Sequence, residues 1–297
     1  MSVQNGYPAD RLRARMTAGP PVAVAGCHDA LGARLAEAAG FEAIHLSGAL
    51  VSAAVLGLPD LGFAGATDML DALRRVTAGT GLPVVADADT GYGDPLQAAE
   101  TTRRYERAGA AALHLEDQVQ PKRCGHSAGV RLVDLPVAVA RLRAAVAARE
   151  RLVVIARTDA LPVAGADEAL RRVDAFAATG ADAVMVEGAV DAATVRRVRE
   201  AAGGLPVVVN NSAAGPPADP LDVLAKAGAR LVLFPVAAAL AGAQAMRETY
   251  RRILRDGRAP DPAMTWTELN DLLGLPGLAE QEARWLPGSP DPSEEIS

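Results

Sequence analysis

The chain is poor in aromatic residues, cysteine and lysine. Phe, Trp and Tyr make up 3% of its 297 residues, so the core has to be filled by Ala, Val, Leu and Gly. Two cysteines, Cys27 and Cys124, allow one disulfide at most, and free thiols in a cytoplasmic protein are the expected state. No apolar run reaches the roughly 18 residues of a membrane span. The opening MSVQNGYPADRLRARM lacks the basic-then-apolar order of a secretory signal. Positive charge is not massed anywhere: the net charge is −6, and the arginines are spread along helical segments. That pattern excludes a nucleic-acid surface. Half of the residues are apolar, which excludes disorder for most of the chain. The tail 287–297, PGSPDPSEEIS, is the exception and reads as disordered.

What is present is one pattern repeated eight times. Short apolar, β-branched runs at 22–25, 43–47, 84–89, 112–116, 152–157, 183–187, 207–210 and 231–235 alternate with amphipathic segments. Those segments are 29–39, 67–77, 95–108, 135–149, 167–179, 191–201, 220–227 and 238–255. Gly40, Gly109, Gly180 and Gly228 follow helical stretches as left-handed C-caps would. Eight βα units predict an α/β fold, a (β/α)8 TIM barrel. A doubly wound parallel sheet is the competing arrangement, but it rarely needs eight even units. One domain over 1–297 is expected, with a C-terminal helical extension at 256–286 whose helical stretch runs 270–286.

Nearly every strand ends on a polar or charged residue. Ser47 follows the second, Asp87 and Asp89 the third, and Glu116 the fourth. Arg157 and Asp159 follow the fifth, Glu187 the sixth, and Asn210 with Ser212 the seventh. In a barrel these ends converge on one face, where the active site lies. A charge at the inner end of a strand is costly unless it is paired or metal-bound.

Within this ring, alternation places Asp87 and Asp89 on one side of their strand, where two carboxylates repel unless a cation lies between them. All-oxygen ligands suit Mg²⁺, with Mn²⁺ possible on the same grounds. Glu116 and Asp60 are placed to reach such an ion through water. The G-x-G fragment Gly91-Tyr92-Gly93 reads as a turn over this site rather than a nucleotide loop. The run 122–126, KRCGH, gathers Lys122, Cys124, Gly125 and His126. Lys122 is one of only two lysines in a chain that otherwise uses arginine, which points to a role for a compact ammonium. Cys124, among cationic neighbours, has the setting of a nucleophile or of a proton donor to a carbanion. Lys122, Cys124 and His126 are therefore the candidate catalytic residues. Arg157 with Asp159, and Glu187, read either as a carboxylate-binding group or as a structural ion pair. His114 reads as a core or supporting histidine, and Cys27 as core or rim. His28 and His45 receive no role.

At these residues the chain resembles the isocitrate lyase/phosphoenolpyruvate mutase superfamily. The matching stretches are LSGA at 46–49, GLPDLGF at 57–63, DADTGYG at 87–93, HLEDQVQPKRCGH at 114–126 and IARTDA at 155–160. The resemblance implies a Mg²⁺ enzyme, usually a homotetramer, with C-terminal helices swapped between subunits. By it, Asp87 and Asp89 look like the metal pair, with Asp60 and Glu116 on metal-bound water. Ser47, Gly48 and Ala49 look like the loop that binds a substrate carboxylate or oxyanion. Arg157, Glu187 and Asn210 look like substrate-binding residues, and Gly125 and Ser212 are grouped with them. Cys124 looks like the general acid of the carbon–carbon lyases. The implied reaction is cleavage of a 2-hydroxy di- or tricarboxylate to a 2-oxo acid, pyruvate or glyoxylate, and a carboxylate. A carboxyphosphonoenolpyruvate-type phosphonomutase and an oxaloacetate decarboxylase or hydrolase are the alternatives. Two departures stand out. Methylisocitrate-cleaving members carry Asn-x-Thr-Glu-x-Gly-x-Thr-Pro where this chain has NNSAAGPPA at 210–218, and arginines where it has Leu240 and Trp266. Both favour a smaller or less charged substrate, such as a substituted malate.

Overall fold

A computed structural model describes residues 6–213 and 215–286, so the expected disordered tail and Ala214 lie outside the described residues. The chain divides into two compact units, Met1–Gly242 and Ala243–Ser297. In the first unit, β1 (Val22–Cys27), β2 (Ala43–Leu46), β3 (Val84–Asp87), β4 (Ala112–Leu115), β5 (Val153–Thr158), β6 (Ala183–Val186), β7 (Val207–Asn210) and β8 (Ala229–Phe234) pair in sequence order, all parallel. β8 pairs back onto β1 through Val22↔Leu231 and Ala25↔Phe234, which closes the barrel and excludes the doubly wound sheet.

Helices α1 (Pro8–Thr17), α2 (Ala30–Ala38), α3 (Gly48–Val51), α4 (Ala66–Gly79), α5 (Pro95–Arg107), α6 (Leu135–Ala148), α7 (Ala160–Ala164), α8 (Ala166–Ala177), α9 (Ala192–Ala201) and α10 (Leu221–Ala227) alternate with the strands. α11 (Ala237–Asp256) follows β8, and the second unit adds α12 (Trp266–Leu272) and α13 (Leu275–Trp285). The caps expected at Gly40, Gly109, Gly180 and Gly228 have φ of 89°, 90°, 86° and 109°. No helix among the described residues is long and apolar enough to cross a membrane.

The period-two pattern of the strands sorts their side chains into two cores. Val24, Ala43, Val85, Val153, Met185, Val208 and Leu233 fill the barrel interior. Their neighbours Ile44, Leu46, Val84, Ala86, Leu113 and Val154 pack outward with Leu73, Tyr105 and Leu142 of the helices. With Ala and Val filling both layers, few aromatics are needed.

Four local features differ from the sequence reading. α1 was not anticipated. Its three buried residues, Ala9, Leu12 and Met16, are separated by arginines, too few to register as a stripe. Leu12 and Met16 join the barrel-interior cluster, and Arg230 Nε donates to Met16 O at 2.9 Å. The third strand stops at Asp87 because Asp89 adopts a left-handed φ of 46°. After β2 the chain forms the short α3 and a π-type turn, Ser52–Leu56, ended by Gly57 at φ 66°. The stretch read as one helix over 270–286 is two. Gly274, at φ 85°, ends the first, and α12 begins earlier, at a Thr265–Glu268 capping box.

Candidate active site

Each site residue continues an interior-facing row to the C-terminal mouth of its strand. His45 follows Ala43, Asp87 follows Val85, and His114 and Glu116 follow Ala112. Arg157 follows Ile155, Glu187 follows Met185, and Asn210 follows Val208. They meet at a cavity of about 420 Å³, lined in part by Ser47, Asp87, Cys124, Arg157, Asn210 and Ser212. Ala49, Asp60, Lys122, Gly125 and His126 also face it. Gly48, Asp89, Glu116 and Glu187 contact these groups, so the structure gathers every candidate site residue at one mouth. A larger groove of about 730 Å³ lies beside it, sharing His126 and Glu187 but lined also by Leu161, Val163 and Val130.

The two loops that roof the cavity are tied to each other. Ser47 Oγ accepts from Leu50 N at 3.5 Å and starts α3, which brings Gly48 N to 3.3 Å from Asp87 Oδ2. A Cβ on Gly48 would lie 2.8 Å from Asp87 Oδ2, so glycine lets the backbone approach that carboxylate. Ser52 Oγ bonds to Leu58 O and Pro59 O at 3.0 and 3.1 Å, which sets Asp60. Asp60 O accepts from Cys124 N at 3.1 Å, and Asp60 Oδ1 is 2.6 Å from Lys122 Nζ.

Lys122 Nζ also lies 2.9 Å from Asp89 Oδ1, with its side chain buried. Asp89, Asp87, Glu116 and Asp60 together overcome its desolvation and keep the ammonium charged. Burial pushes the Asp89 carboxyl up to about 7, helped by the charges of Asp87 and Asp60, while Lys122 only partly offsets this. Glu116 is likewise raised by burial against the pull of Arg157. Burial also opposes ionisation of Asp87, but His114, Lys122 and Arg157 around it hold that carboxyl below the usual range.

Arg157 is surrounded by acid. Nη1 lies 3.2 Å from Glu116 Oε2, Nε is 2.8 Å from Asp159 Oδ1, and Nη2 is 3.2 Å from Glu187 Oε2. Glu187 also accepts both bonds from Asn210 Nδ2 and lies 3.2 Å from His126 Nε2. A Cβ on Gly125 would sit 2.7 Å from Glu187 Cγ and 2.9 Å from Arg157 Nη2, so the thiol-bearing loop can lie on this pair only through glycine.

These donors fit a hard dication. Glu116 Oε1 is buried without a hydrogen-bond donor among the described residues, Asp89 Oδ1 has Lys122 Nζ at 2.9 Å, and the local carboxylates outnumber the cations Lys122 and Arg157. No three His, Cys, Asp or Glu side chains among the described residues converge into a ready-made cage.

His114 is the supporting histidine the sequence suggested, but its partner His45 was missed. His45 Nε2 and His114 Nε2 are 3.0 Å apart, and the rings stack with centroids 5.2 Å apart. His114 Nδ1 lies 3.5 Å from Asp87 Oδ1. Since Nε2 faces Nε2, one ring donates and the other accepts, which fixes opposite tautomers. Burial lowers the pKa of His45 to about 4 and of His114 to about 3, although Asp87 pulls both upward. The only signal in the sequence was a polar residue in register with Ala43. Also missed was Tyr105, whose hydroxyl donates to Asp87 O at 3.1 Å and meets Tyr92 Oη at 3.2 Å. Cys27 is a core thiol, raised to about 12 by burial and Asp29. His28 lies 3.4 Å from the exposed Asp29.

Comparison with known proteins places this geometry in context. A family model described as phosphoenolpyruvate phosphomutase matches residues 12–254. The chain is 33% identical to 2,3-dimethylmalate lyase of Eubacterium barkeri, over 94% of this chain and 99% of that protein. It is 39% identical to 2-methylisocitrate lyase of Salmonella typhimurium, over 84% and 86%. The trigonal crystal structure of 2,3-dimethylmalate lyase superposes with a TM-score of 0.89 at 38% identity, over 96% of this chain and 99% of that one. Phosphonopyruvate hydrolase in complex with oxalate and Mg²⁺ superposes at 0.83 with 31% identity, over 94% and 99%.

The buried imidazoles make stability depend on pH. The unfolded chain takes up protons near 6.5, whereas folded His45 does so only near 4, so stability falls as the pH drops through that interval. Asp89, raised in the folded state, acts with the opposite sign and cancels when two proteins sharing it are compared. Wild type is therefore expected to lose up to roughly 3 kcal/mol more stability than His45→Gln between pH 7 and pH 4. Urea midpoints at the two pH values measure this, and equal losses would contradict it.

Proposed function

The chain belongs to the phosphoenolpyruvate phosphomutase/isocitrate lyase superfamily, and within it we propose a Mg²⁺-dependent lyase that cleaves a substituted malate to a 2-oxo acid and a carboxylate. The observation that carries this reading is the position of Cys124, which faces the same cavity as Asp87 and Arg157. A thiol there can protonate the carbon that departs while the other half of the substrate stays bound.

In this reading Arg157, oriented by Asp159 and Glu187, binds one substrate carboxylate, and Ser47, the Gly48 N–H and Asn210 hold the oxygens beside it. The Asp60 carboxylate, which lines the cavity, takes the hydroxyl proton, and the C–O bond becomes a carbonyl. The adjacent C–C bond breaks, and its electron pair moves to the carbon bearing the second carboxylate. Cys124 gives its proton to that carbon, which leaves a thiolate beside Lys122 and His126. Positioned acids of this kind contribute about 10²- to 10⁴-fold in rate. Asp87 and Asp89, with Asp60 and Glu116 beside them, would hold Mg²⁺, which would stabilise the negative charge that develops on oxygen.

The cavity wall favours a dicarboxylate with alkyl groups over a tricarboxylate. Leu50, Ala53, Leu58, Ala213, Val236 and Leu240 form its apolar side, while Lys122 and Arg157 are already committed to carboxylates. Arg123 and His126 are the remaining basic groups on the lining, and the apolar side suits alkyl groups better than a third carboxylate. The similarity to 2,3-dimethylmalate lyase along nearly the full length of both chains supports the same class.

The reading extends to assembly as a homotetramer with C-terminal helices exchanged between subunits. α11, α12 and α13 bury no residue within one chain, and Leu254, Trp266 and Trp285 are 89%, 75% and 75% exposed. Side chains of this kind are normally covered. Sedimentation velocity is expected to give a mass of four chains, and a monomer at micromolar concentration would contradict this.

The activity is tested by incubation with Mg²⁺ and a panel of 2-alkylmalates, isocitrates, oxaloacetate and phosphonopyruvate. Pyruvate or glyoxylate release from an alkylmalate is expected. Cys124→Ser should lower kcat at least about 100-fold while leaving Mg²⁺ affinity unchanged. Full activity in that variant would remove the thiol from the mechanism. A new carbon–phosphorus signal by phosphorus NMR would show a phosphonomutase instead, and turnover of oxaloacetate alone a decarboxylase or hydrolase.

A further inference from the structure

Gln118 lies just past the end of β4, two residues beyond Glu116, and is fully buried. The cleavage chemistry gives a neutral amide no task at that place. Its hydrogen bonds do. Gln118 Oε1 accepts from Arg123 N at 2.9 Å, and Gln118 Nε2 donates to Arg123 O at 2.9 Å. One carboxamide thus satisfies both backbone groups of the residue that precedes Cys124. The second proton on Nε2 goes to Asp159 Oδ2. Asp159 in turn accepts from Arg157 Nε at 2.8 Å and from Arg157 Nη2 at 3.2 Å.

The Gln118 backbone is also held from behind. Arg141 Nη1 donates to Gln118 O at 3.3 Å, and Gln118 forms a β-bridge with Leu132. An unbroken run of hydrogen bonds therefore leads from the Arg157 guanidinium through Asp159 and Gln118 to the backbone beside Cys124. No other side chain of this size does the same. Glutamate cannot donate to Arg123 O and would set a carboxylate against Asp159. A hydrocarbon would leave two buried backbone groups unpaired, at about 1–3 kcal/mol each.

We propose that Gln118 is a positioning residue that couples occupancy of Arg157 to the placement of the Cys124 loop. When a carboxylate ligand draws on Arg157, the guanidinium shares less of its charge with Asp159. Asp159 then leans more on the Gln118 amide, which tightens its grip on Arg123. The thiol is held in place over a filled site and is freer over an empty one. The benefit to catalysis rests on the lyase reading, but the coupling applies to any small dianion bound at Arg157.

The test uses the full-length protein with Mg²⁺ and oxalate as the probe, and follows alkylation of Cys124 by iodoacetamide with peptide mass mapping. Cys27 is buried and serves as the unreactive control. In wild type, saturating oxalate is expected to slow Cys124 alkylation about tenfold or more. In Gln118→Glu, oxalate should bind within about threefold of wild type by calorimetry, while the slowing falls below about twofold. With an alkylmalate the same variant should lose about tenfold or more in kcat with KM nearly unchanged, as a misplaced catalytic group does. Asp159→Asn cuts the link from its other end and should show the same loss of protection, so it decides the matter if Gln118→Glu does not fold. Three results would overturn the proposal: no protection in wild type, wild-type protection in both variants, or loss of oxalate binding in Gln118→Glu. Protection without any cleavage of 2-hydroxy acids would instead sink the lyase reading and leave the coupling standing.

Discussion

Asp87, Asp89, Glu116, Asp159 and Glu187 are all buried at one barrel mouth, with Asp60 at its edge, and the permanently charged partners buried among them are Lys122 and Arg157. An unpaired carboxylate at that depth costs several kcal/mol. The protein meets part of the deficit by raising Asp89 and Glu116 towards the neutral form. It meets another part by sharing Lys122 between Asp60 and Asp89. What remains is a site that repels an anionic substrate until further positive charge arrives. A dication would supply that charge, and Glu116 Oε1 is a buried oxygen without a donor among the described residues that it could engage.

The division between strands and loops follows from this charge. The carboxylates and Arg157 stand on strand ends, where the barrel fixes them and repulsion cannot be relieved by drift. The thiol stands on a loop, from which, in the proposed cleavage, it would reach the departing carbon. Glycines mark where loop meets ring: Gly48 lies against Asp87, and Gly125 lies against Glu187 and Arg157. His45 and His114 bond to each other beside Asp87, with His114 Nδ1 3.5 Å from its carboxylate.

The barrel was legible in the sequence because its signals are local. A β-branched run, an amphipathic helix and a capping glycine recur within about thirty residues. The acidic strand ends were legible for the same reason, since alternation carries Val85 to Asp87 and Ile155 to Arg157. Contacts closed by the barrel itself were not legible. His45 meets His114 across 69 residues, and Gln118 meets Asp159 across 41, distances over which no residue pattern signals a partner. Asp89 was read as continuing its strand, because nothing in Asp-Ala-Asp announces a left-handed turn. The C-terminal helices were read as one because Gly274 resembled any other helical glycine, although the Thr265–Glu268 box marked the true start.

The charge deficit is tested most directly by calorimetric titration of Mg²⁺ into the protein at pH 7, in two buffers of different ionisation enthalpy. About one ion per chain is expected, bound with net proton release because Asp89 and Glu116 must give up protons, and lost in Asp87→Asn. Absence of binding, or binding that Asp87→Asn and Asp89→Asn both leave unchanged, would contradict the account.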